Sequence, residues 1–255
     1  MSLLSTEALD VRVGPVTVCR RLDLEIGAGE CWGVLGANGA GKTTLLYALA
    51  GLRPPAAGEV RLDGQPIGQV PRRQVARRVG LVFQDLVDPF PASVLETVLV
   101  GRHPHLSPFE WESEKDFELA RSALDAVGLA GLERRTVHSL SGGERRRLAI
   151  AALLVQDPEL CLLDEPTNHL DLRYRIEMLD MLTRACGKQR KGLLMVLHDV
   201  NLAARFCSHL LLLFGDGVTE SGRADVLLDE DRLSRLYGHP IRQIAAGSPP
   251  VFQPG

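Results

Sequence analysis

The chain has 255 residues, 45% of them hydrophobic and 24% charged, which suits one large globular domain with room for a sub-lobe. Its formal net charge of -3 gives no electrostatic reason to expect nucleic acid as a partner. The longest apolar runs, Leu148 to Val155 and Leu210 to Phe214, fall short of the roughly 18–20 residues that span a bilayer, and Met1 to Val11 lacks the basic start and apolar stretch of a secretory signal, so the chain is expected in the cytosol.

Ala8 to Val13, Val16 to Cys19 and Leu22 to Ile26 read as short strands, the first two divided by Gly14-Pro15. Cys31 to Leu35 is an apolar strand that stops at a glycine-rich loop. Thr43 to Ala50 has helical character, closed by Gly51 and Pro54-Pro55. Gly58 to Pro66 reads as a small hairpin, Arg72 to Arg78 as a basic helix and Gly80 to Gln84 as a buried strand. From Asp85 to Arg135 the texture changes. Prolines at 89, 91, 104 and 108 and amphipathic helices, notably Glu114 to Val127, mark a helical lobe inserted into an α/β core. A helix over Glu144 to Leu154 leads back to that core, whose strands Leu160 to Asp164 and Leu193 to Leu197 flank a helix from Tyr174 to Ala185. Alternating strand and helix implies a largely parallel sheet with ligands at the carboxyl ends of its strands. The Pro- and Gly-rich tail from Ser248 is expected to be loose. The five cysteines (Cys19, Cys31, Cys161, Cys186, Cys207) are odd in number and lack metal-ligand spacing, so they read as reduced, buried thiols.

Gly36, Gly41, Lys42 and Thr43 meet the pattern G-x-x-x-x-G-K-[ST] between a strand and a helix, the context a phosphate-binding loop requires. Backbone N–H groups of Asn38, Gly39, Ala40, Gly41 and Thr44 can converge there on phosphate oxygens, helped by the positive end of the following helix. Lys42 supplies a point charge to the β- and γ-phosphates, and the Thr43 hydroxyl faces Mg²⁺. Strand Leu160 to Leu163 ends in Asp164-Glu165. Asp164 is placed to hold Mg²⁺, and Glu165, pointing the other way, to act as general base on an attacking water. Gln84, at the junction with the helical lobe, can touch both Mg²⁺ and that water. Ser141-Gly142-Gly143 opens a helix, with Ser141 as N-cap, and offers a second phosphate site. One γ-phosphate does not need two such sites in one chain. A two-fold pair, each copy's turn closing over the other's loop, does. Taken singly, an acidic turn after a strand and a capped helix are equally ordinary features.

Together these residues closely resemble the ATP-binding cassette (ABC) family, from Leu9 to about Ile244. The resemblance implies a RecA-like P-loop α/β core with an antiparallel β subdomain and an inserted α-helical subdomain. In one domain over 1–255, it places the core at 1–84 and 156–225, the helical subdomain at 85–155 and a C-terminal extension at 226–255. It implies ATP and Mg²⁺ as cofactors and a second copy of the chain as partner, with Asp171 at the dimer seam. It also implies that His198, at a strand end, reaches both the γ-phosphate and Glu165. Asp88-Pro89-Phe90-Pro91-Ala92-Ser93-Val94, Gly101-Arg102-His103-Pro104-His105 and Leu236-Tyr237-Gly238-His239-Pro240-Ile241 are similar to the ATPases of cobalamin, haem and ferric siderophore importers. That narrower resemblance implies a peripheral subunit on the cytoplasmic face of the inner membrane, working with permease subunits and, indirectly, a substrate-binding protein. Exporter ATPases, and soluble cassette ATPases acting on nucleic acid or ribosomes, are the alternatives. The soluble class usually carries tandem cassettes or coiled-coil insertions, which this chain lacks.

Two residues depart from the family pattern. Val13 stands where the family usually has an aromatic residue stacked on adenine. Glu144 follows Gly143 in place of the more frequent glutamine, and is expected to point away from a phosphate bound at that turn. His103 and His105, split by Pro104 and without nearby carboxylates, read as a structural turn rather than a metal site.

Overall fold

The structure is a computed structural model describing residues 2–84, 91–245 and 249–255. Asp85 to Phe90, which include the start of the helical lobe and part of the Asp88–Val94 stretch, and Ser248 lie outside the described residues.

The chain opens with strands β1 (Ser2–Val13), β2 (Val16–Leu22), β3 (Glu25–Gly27) and β4 (Cys31–Gly36). Helix α1 (Lys42–Leu49), strands β5 (Ala57–Leu62) and β6 (Gln65–Pro66), helix α2 (Arg72–Arg78) and strand β7 (Val79–Val82) follow. Helices α3 (Val94–Leu99), α4 (Glu114–Ala126) and α5 (Gly142–Gln156) come next. The order then alternates through β8 (Leu160–Asp164), α6 (Leu172–Gln189), β9 (Gly192–Val196), α7 (Val200–Phe206) and β10 (His209–Gly215). Strand β11 (Val218–Arg223), helices α8 (Ala224–Leu227) and α9 (Glu230–Tyr237), and strands β12 (Ile241–Ala245) and β13 (Val251–Pro254) complete the chain.

Six strands form one sheet in the order β11-β10-β4-β9-β8-β7, parallel except at the β10–β11 edge. Helices cover both faces, which is why β9 is apolar throughout and β10 carries consecutive leucines rather than an alternation of apolar and polar residues. The two-residue period of a strand sorts those leucines between two cores. Leu211 and Leu213 join α1 and the amino-terminal strands, whereas Leu210 and Leu212 join a core that runs through α5, α6 and α7 into α3 and α4. A second, antiparallel sheet has the order β2-β1-β5-β6, with β3 also on β1, and packs over α1. All five cysteines are free, and four are buried. Burial pushes the thiols of Cys19 and Cys207 up to about 11 and about 12.

Three expectations are corrected. Leu22 to Ile26 is not one strand: Leu22 ends β2, and β3 begins at Glu25. The buried Thr6 hydroxyl sits at the break, donating to the Leu22 carbonyl (2.7 Å) and accepting from the Leu24 N–H (2.9 Å). A carboxylate does stand near His103, with Glu112 Oε1 3.7 Å from its Nε2, while His105 Nε2 lies 2.8 Å from the Gln156 carbonyl. Even so, among the described residues no group of three His, Cys, Asp or Glu is placed to hold a metal ion.

The third correction is the tail. It is strand β13, paired antiparallel with β12. The Phe252 N–H donates to Asn201 Oδ1 (2.8 Å), and Asn201 Nδ2 donates to the Phe252 carbonyl (3.0 Å). Phe252 is only 3% exposed, so one buried ring and a two-way amide clamp outweigh a Pro/Gly-rich composition. Phe252→Ala is therefore expected to cost about 3 kcal/mol of unfolding free energy. An unchanged urea midpoint would show that the tail contributes nothing to stability.

Candidate functional site

Strand β4 stops at Gly36, and the next five residues turn sharply into α1. Gly41 has φ +88°, and a Cβ there would lie 2.4 Å from Val18 Cγ2, so both conformation and packing demand glycine. Lys42 is buried and turns back over its own loop. Its Nζ donates to the carbonyls of Gly36 (2.9 Å) and Ala37 (3.0 Å). Burial pulls its pKa below the ordinary lysine value, against the opposing attraction of Glu165 and Asp164.

The parallel order of the sheet brings three more strand ends to the same edge. Gln84 follows β7, Asp164 ends β8 with Glu165 next, and His198 follows β9. Glu165 is 7% exposed and gathers the others around its carboxylate. His198 Nε2 lies 2.5 Å from Oε1, and Gln84 Nε2 donates to Oε2 over 3.2 Å. Asn168 Nδ2 also donates to Oε2. The Glu165 backbone is left-handed (φ +50°), a conformation a side chain adopts only under constraint. Asn168 is a partner of Glu165 that the motifs do not single out. Its contact with Glu165 depends on the local turn, which the residue types there do not announce.

Asp164 is fully buried, and neither carboxylate oxygen makes a hydrogen bond of ordinary length. Burial pushes its pKa up, opposed by Thr43, which faces it. Thr43 Oγ1 in turn lies 3.5 Å from Gln84 Oε1. A buried carboxylate, a hydroxyl and an amide oxygen make a hard oxygen donor set, which suits Mg²⁺ shared with phosphate better than a cage of protein ligands. Residues Val13, Val16, Val18, Asn38, Gly39, Gly41, Lys42, Thr43, Thr44, Gln84, Glu165 and His198 line a single cleft of about 770 Å³. Its apolar end is the β1–β2 hairpin, where Val13 and Val16 pair across the turn and are 38% and 48% exposed.

Ser141, Gly142 and Gly143 are not among the residues lining that cleft. They open α5 in a reciprocal cap. Ser141 Oγ accepts from the Glu144 N–H (3.2 Å), and Glu144 Oε2 accepts from the Ser141 N–H (2.8 Å). The Glu144 carboxylate is thus folded into the cap, and its pKa is lowered chiefly by the Ser141 N–H. A Cβ on Gly143 would come within 2.9 Å of the His169 carbonyl, so the turn packs directly on the segment before Asp171. Asp171 itself caps α6, accepting from the Tyr174 N–H (3.0 Å).

The sequence profile of the family described as "ABC transporter" matches residues 19–168, which contain the phosphate loop, Gln84, the Ser141–Gly143 turn and Asp164-Glu165. The chain belongs to the ABC transporter family. This ABC protein is 38% identical to the petrobactin import ATP-binding protein FpuD of Bacillus anthracis, over 92% of its own length and 86% of that protein's. Its structure resembles that of an ABC transporter described as of metal-chelate type, in an inward-facing conformation, with a TM-score of 0.85 and 29% identity over 100% of this chain and 98% of that one. It also resembles a dimeric ATP-binding cassette in a post-hydrolysis state bound to ADP and Pi, with a TM-score of 0.75 and 25% identity over 87% of this chain and 98% of that one. The fold is that of an ABC ATPase, with a P-loop α/β core, an antiparallel sheet and a helical segment between β7 and β8. As an ABC ATP-binding subunit, the protein binds ATP and is an ATPase coupled to transport. Among the described residues no helix is long and apolar enough to cross a membrane.

Proposed function

We propose that this protein is the ATP-hydrolysing subunit of an importer that takes up a metal chelate through a membrane permease. The observation that carries the catalytic part is the Glu165 carboxylate, held by His198 and Gln84 in the cleft that the phosphate loop also lines. Import of a metal chelate is supported by the petrobactin importer relative and by the likeness to a metal-chelate type transporter. On this reading the protein is peripheral, on the cytoplasmic face of the inner membrane, with permease subunits as direct partners and a substrate-binding protein beyond them.

The N–H groups of Asn38, Gly39, Ala40, Gly41 and Thr44 cradle the phosphates, and Lys42 exchanges its loop carbonyls for β- and γ-phosphate oxygens. Thr43, Asp164 and Gln84 would hold Mg²⁺, which would supply positive charge to offset that of the phosphates. Glu165 takes a proton from the attacking water, while His198 fixes the carboxylate and reaches the γ-phosphate. The Ser141–Gly143 turn, which lies outside its own chain's cleft, closes on the nucleotide of a second copy; the dimeric cassette among its structural relatives supports that arrangement. ATP then holds two copies together, and hydrolysis releases them.

The adenine end of the cleft has valine side chains and no ring. Aromatic stacking on a base is worth about 1–3 kcal/mol, or roughly 5- to 100-fold in affinity. Val13→Tyr is expected to tighten ATP binding about fivefold or more in a calorimetric titration. An unchanged Kd would mean that Val13, Val16 and Val18 already supply the contact. The transport reading is tested by purifying tagged protein with ATP from detergent-solubilised membranes. Recovery of a multi-spanning permease is the expected result, whereas recovery only of ribosomal or DNA-associated partners would overturn it.

A further inference from the structure

Helix α5, which begins at the Ser141–Gly143 turn, carries two consecutive buried arginines. Arg147 reaches toward the helical segment. Its Nη1 donates to the carbonyls of Val127 and Gly128 (2.9 Å each) at the end of α4, and its guanidinium lies 4.4 Å from the centre of the Tyr174 ring in the first turn of α6. Arg146, 3% exposed, reaches toward the sheet. Its Nη1 donates to the carbonyl of Phe83, the residue before Gln84, and its Nη2 to the carbonyls of Asp164 and Glu165. One planar fork therefore joins the carboxyl ends of two neighbouring strands to the helix that opens at the Ser141–Gly143 turn.

We infer that Arg146 is a positioning residue for ATP hydrolysis, holding the Gln84 and Glu165 backbones so that their side chains meet and linking both to the Ser141–Gly143 turn. The inference rests on the proposed reading of Glu165 as general base and of the turn as the contact to a second copy's nucleotide. Three observations support it. The Glu165 peptide is left-handed, so it must be held from outside, and Arg146 binds its carbonyl oxygen. The residue next to Phe83 is the one whose amide donates to the Glu165 carboxylate, so a single guanidinium sets the separation of both partners. Arg146 also lies three residues beyond Gly143 on one continuous helix, so any shift of the turn moves the guanidinium with it. The fork is needed for its geometry as well as its charge. Lysine offers a point charge on a flexible stem and cannot hold three carbonyls in one fixed plane.

The test compares four proteins: wild type, Arg146→Lys, Glu165→Gln and the double variant. Turnover and ATP Kd are measured for each, with ATP-induced thermal stabilisation reporting that each is folded. A misplacement on the order of 1 Å lowers a catalytic rate by on the order of 10²-fold. Arg146→Lys is therefore expected to lose about tenfold or more in kcat with ATP Kd within about twofold of wild type. Because Arg146 acts chiefly through Glu165, adding Arg146→Lys to Glu165→Gln is expected to lower the residual turnover by a much smaller factor than Arg146→Lys lowers that of the wild type. Wild-type turnover in Arg146→Lys, or losses that multiply in the double variant as general structural damage would, overturns the inference. Undiminished turnover in Glu165→Gln alone would instead overturn the base assignment. Should the lysine variant fail to fold, Arg146→Gln, which keeps an amide donor without a buried charge, serves the same comparison.

Discussion

Glu165→Gln is expected to bind ATP and to hydrolyse it about 10²–10⁴-fold more slowly, the usual contribution of a positioned general base. The substitution is close to isosteric, and the surroundings can absorb it. Glu165 Oε2 accepts from Gln84 and Asn168, and a glutamine amide oxygen placed there would still accept from both. Its NH₂ would then face His198 Nε2, and the neutral imidazole can present an unprotonated nitrogen at that position. What disappears is the ability to take a proton from water. One negative charge is also removed from the cleft, so ATP binding has no reason to weaken. Binding is read by titration and turnover by phosphate release. Wild-type turnover would mean that another group is the base. Weakened binding in proportion to turnover would mean that the carboxylate supports the cleft rather than the chemistry.

The parts of this molecule that sequence makes legible are those in which one short segment carries the whole signal. Helix Arg72–Arg78 and strand Leu160–Asp164 fall at the residues that composition alone indicates. The chain places Gly36–Thr44, Gln84, Glu165 and His198 at one edge of the sheet because each follows a parallel strand, and strands parallel in one sheet share a carboxyl edge. Contacts that join distant segments are not legible in this way. Arg146 touches Phe83, 63 positions away, and the basic run Arg145-Arg146-Arg147 reads equally well as a solvated helix face. Asn168 reaches Glu165 through a turn that begins at Glu165 itself, whose positive φ nothing in its residue type requires. The tail misleads for a third reason. Its prolines and glycines argue for a loose end, and what orders it is one phenylalanine buried in the core and clamped by Asn201.

Lys42→Ala is expected to lose about 100-fold or more in ATP affinity while leaving the nucleotide-free fold nearly unchanged. A hydrogen bond from a charged donor is worth about 1.5–3 kcal/mol, and contacts to two phosphates from one ammonium compound that to on the order of 10²-fold. Without nucleotide, the same ammonium is confined among Gly36 and Ala37 carbonyls, and its lowered pKa shows that burial disfavours its charge. Removing it therefore relieves a desolvation cost as it breaks two hydrogen bonds, and the two effects oppose each other. Thermal unfolding separates the outcomes. At an ATP concentration 100 times its own Kd, the wild-type protein gains about 2.7 kcal/mol of stability, whereas a variant binding 100-fold more weakly gains about 0.4 kcal/mol at the same concentration. Equal stabilisation of both proteins would remove Lys42 from the nucleotide site. A variant that unfolds early without ATP would instead make Lys42 the brace of its loop, and the lost affinity a consequence of that. The buried position and depressed pKa of Lys42 argue for the first picture, in which the loop holds a partly desolvated cation whose proper partner is the phosphate.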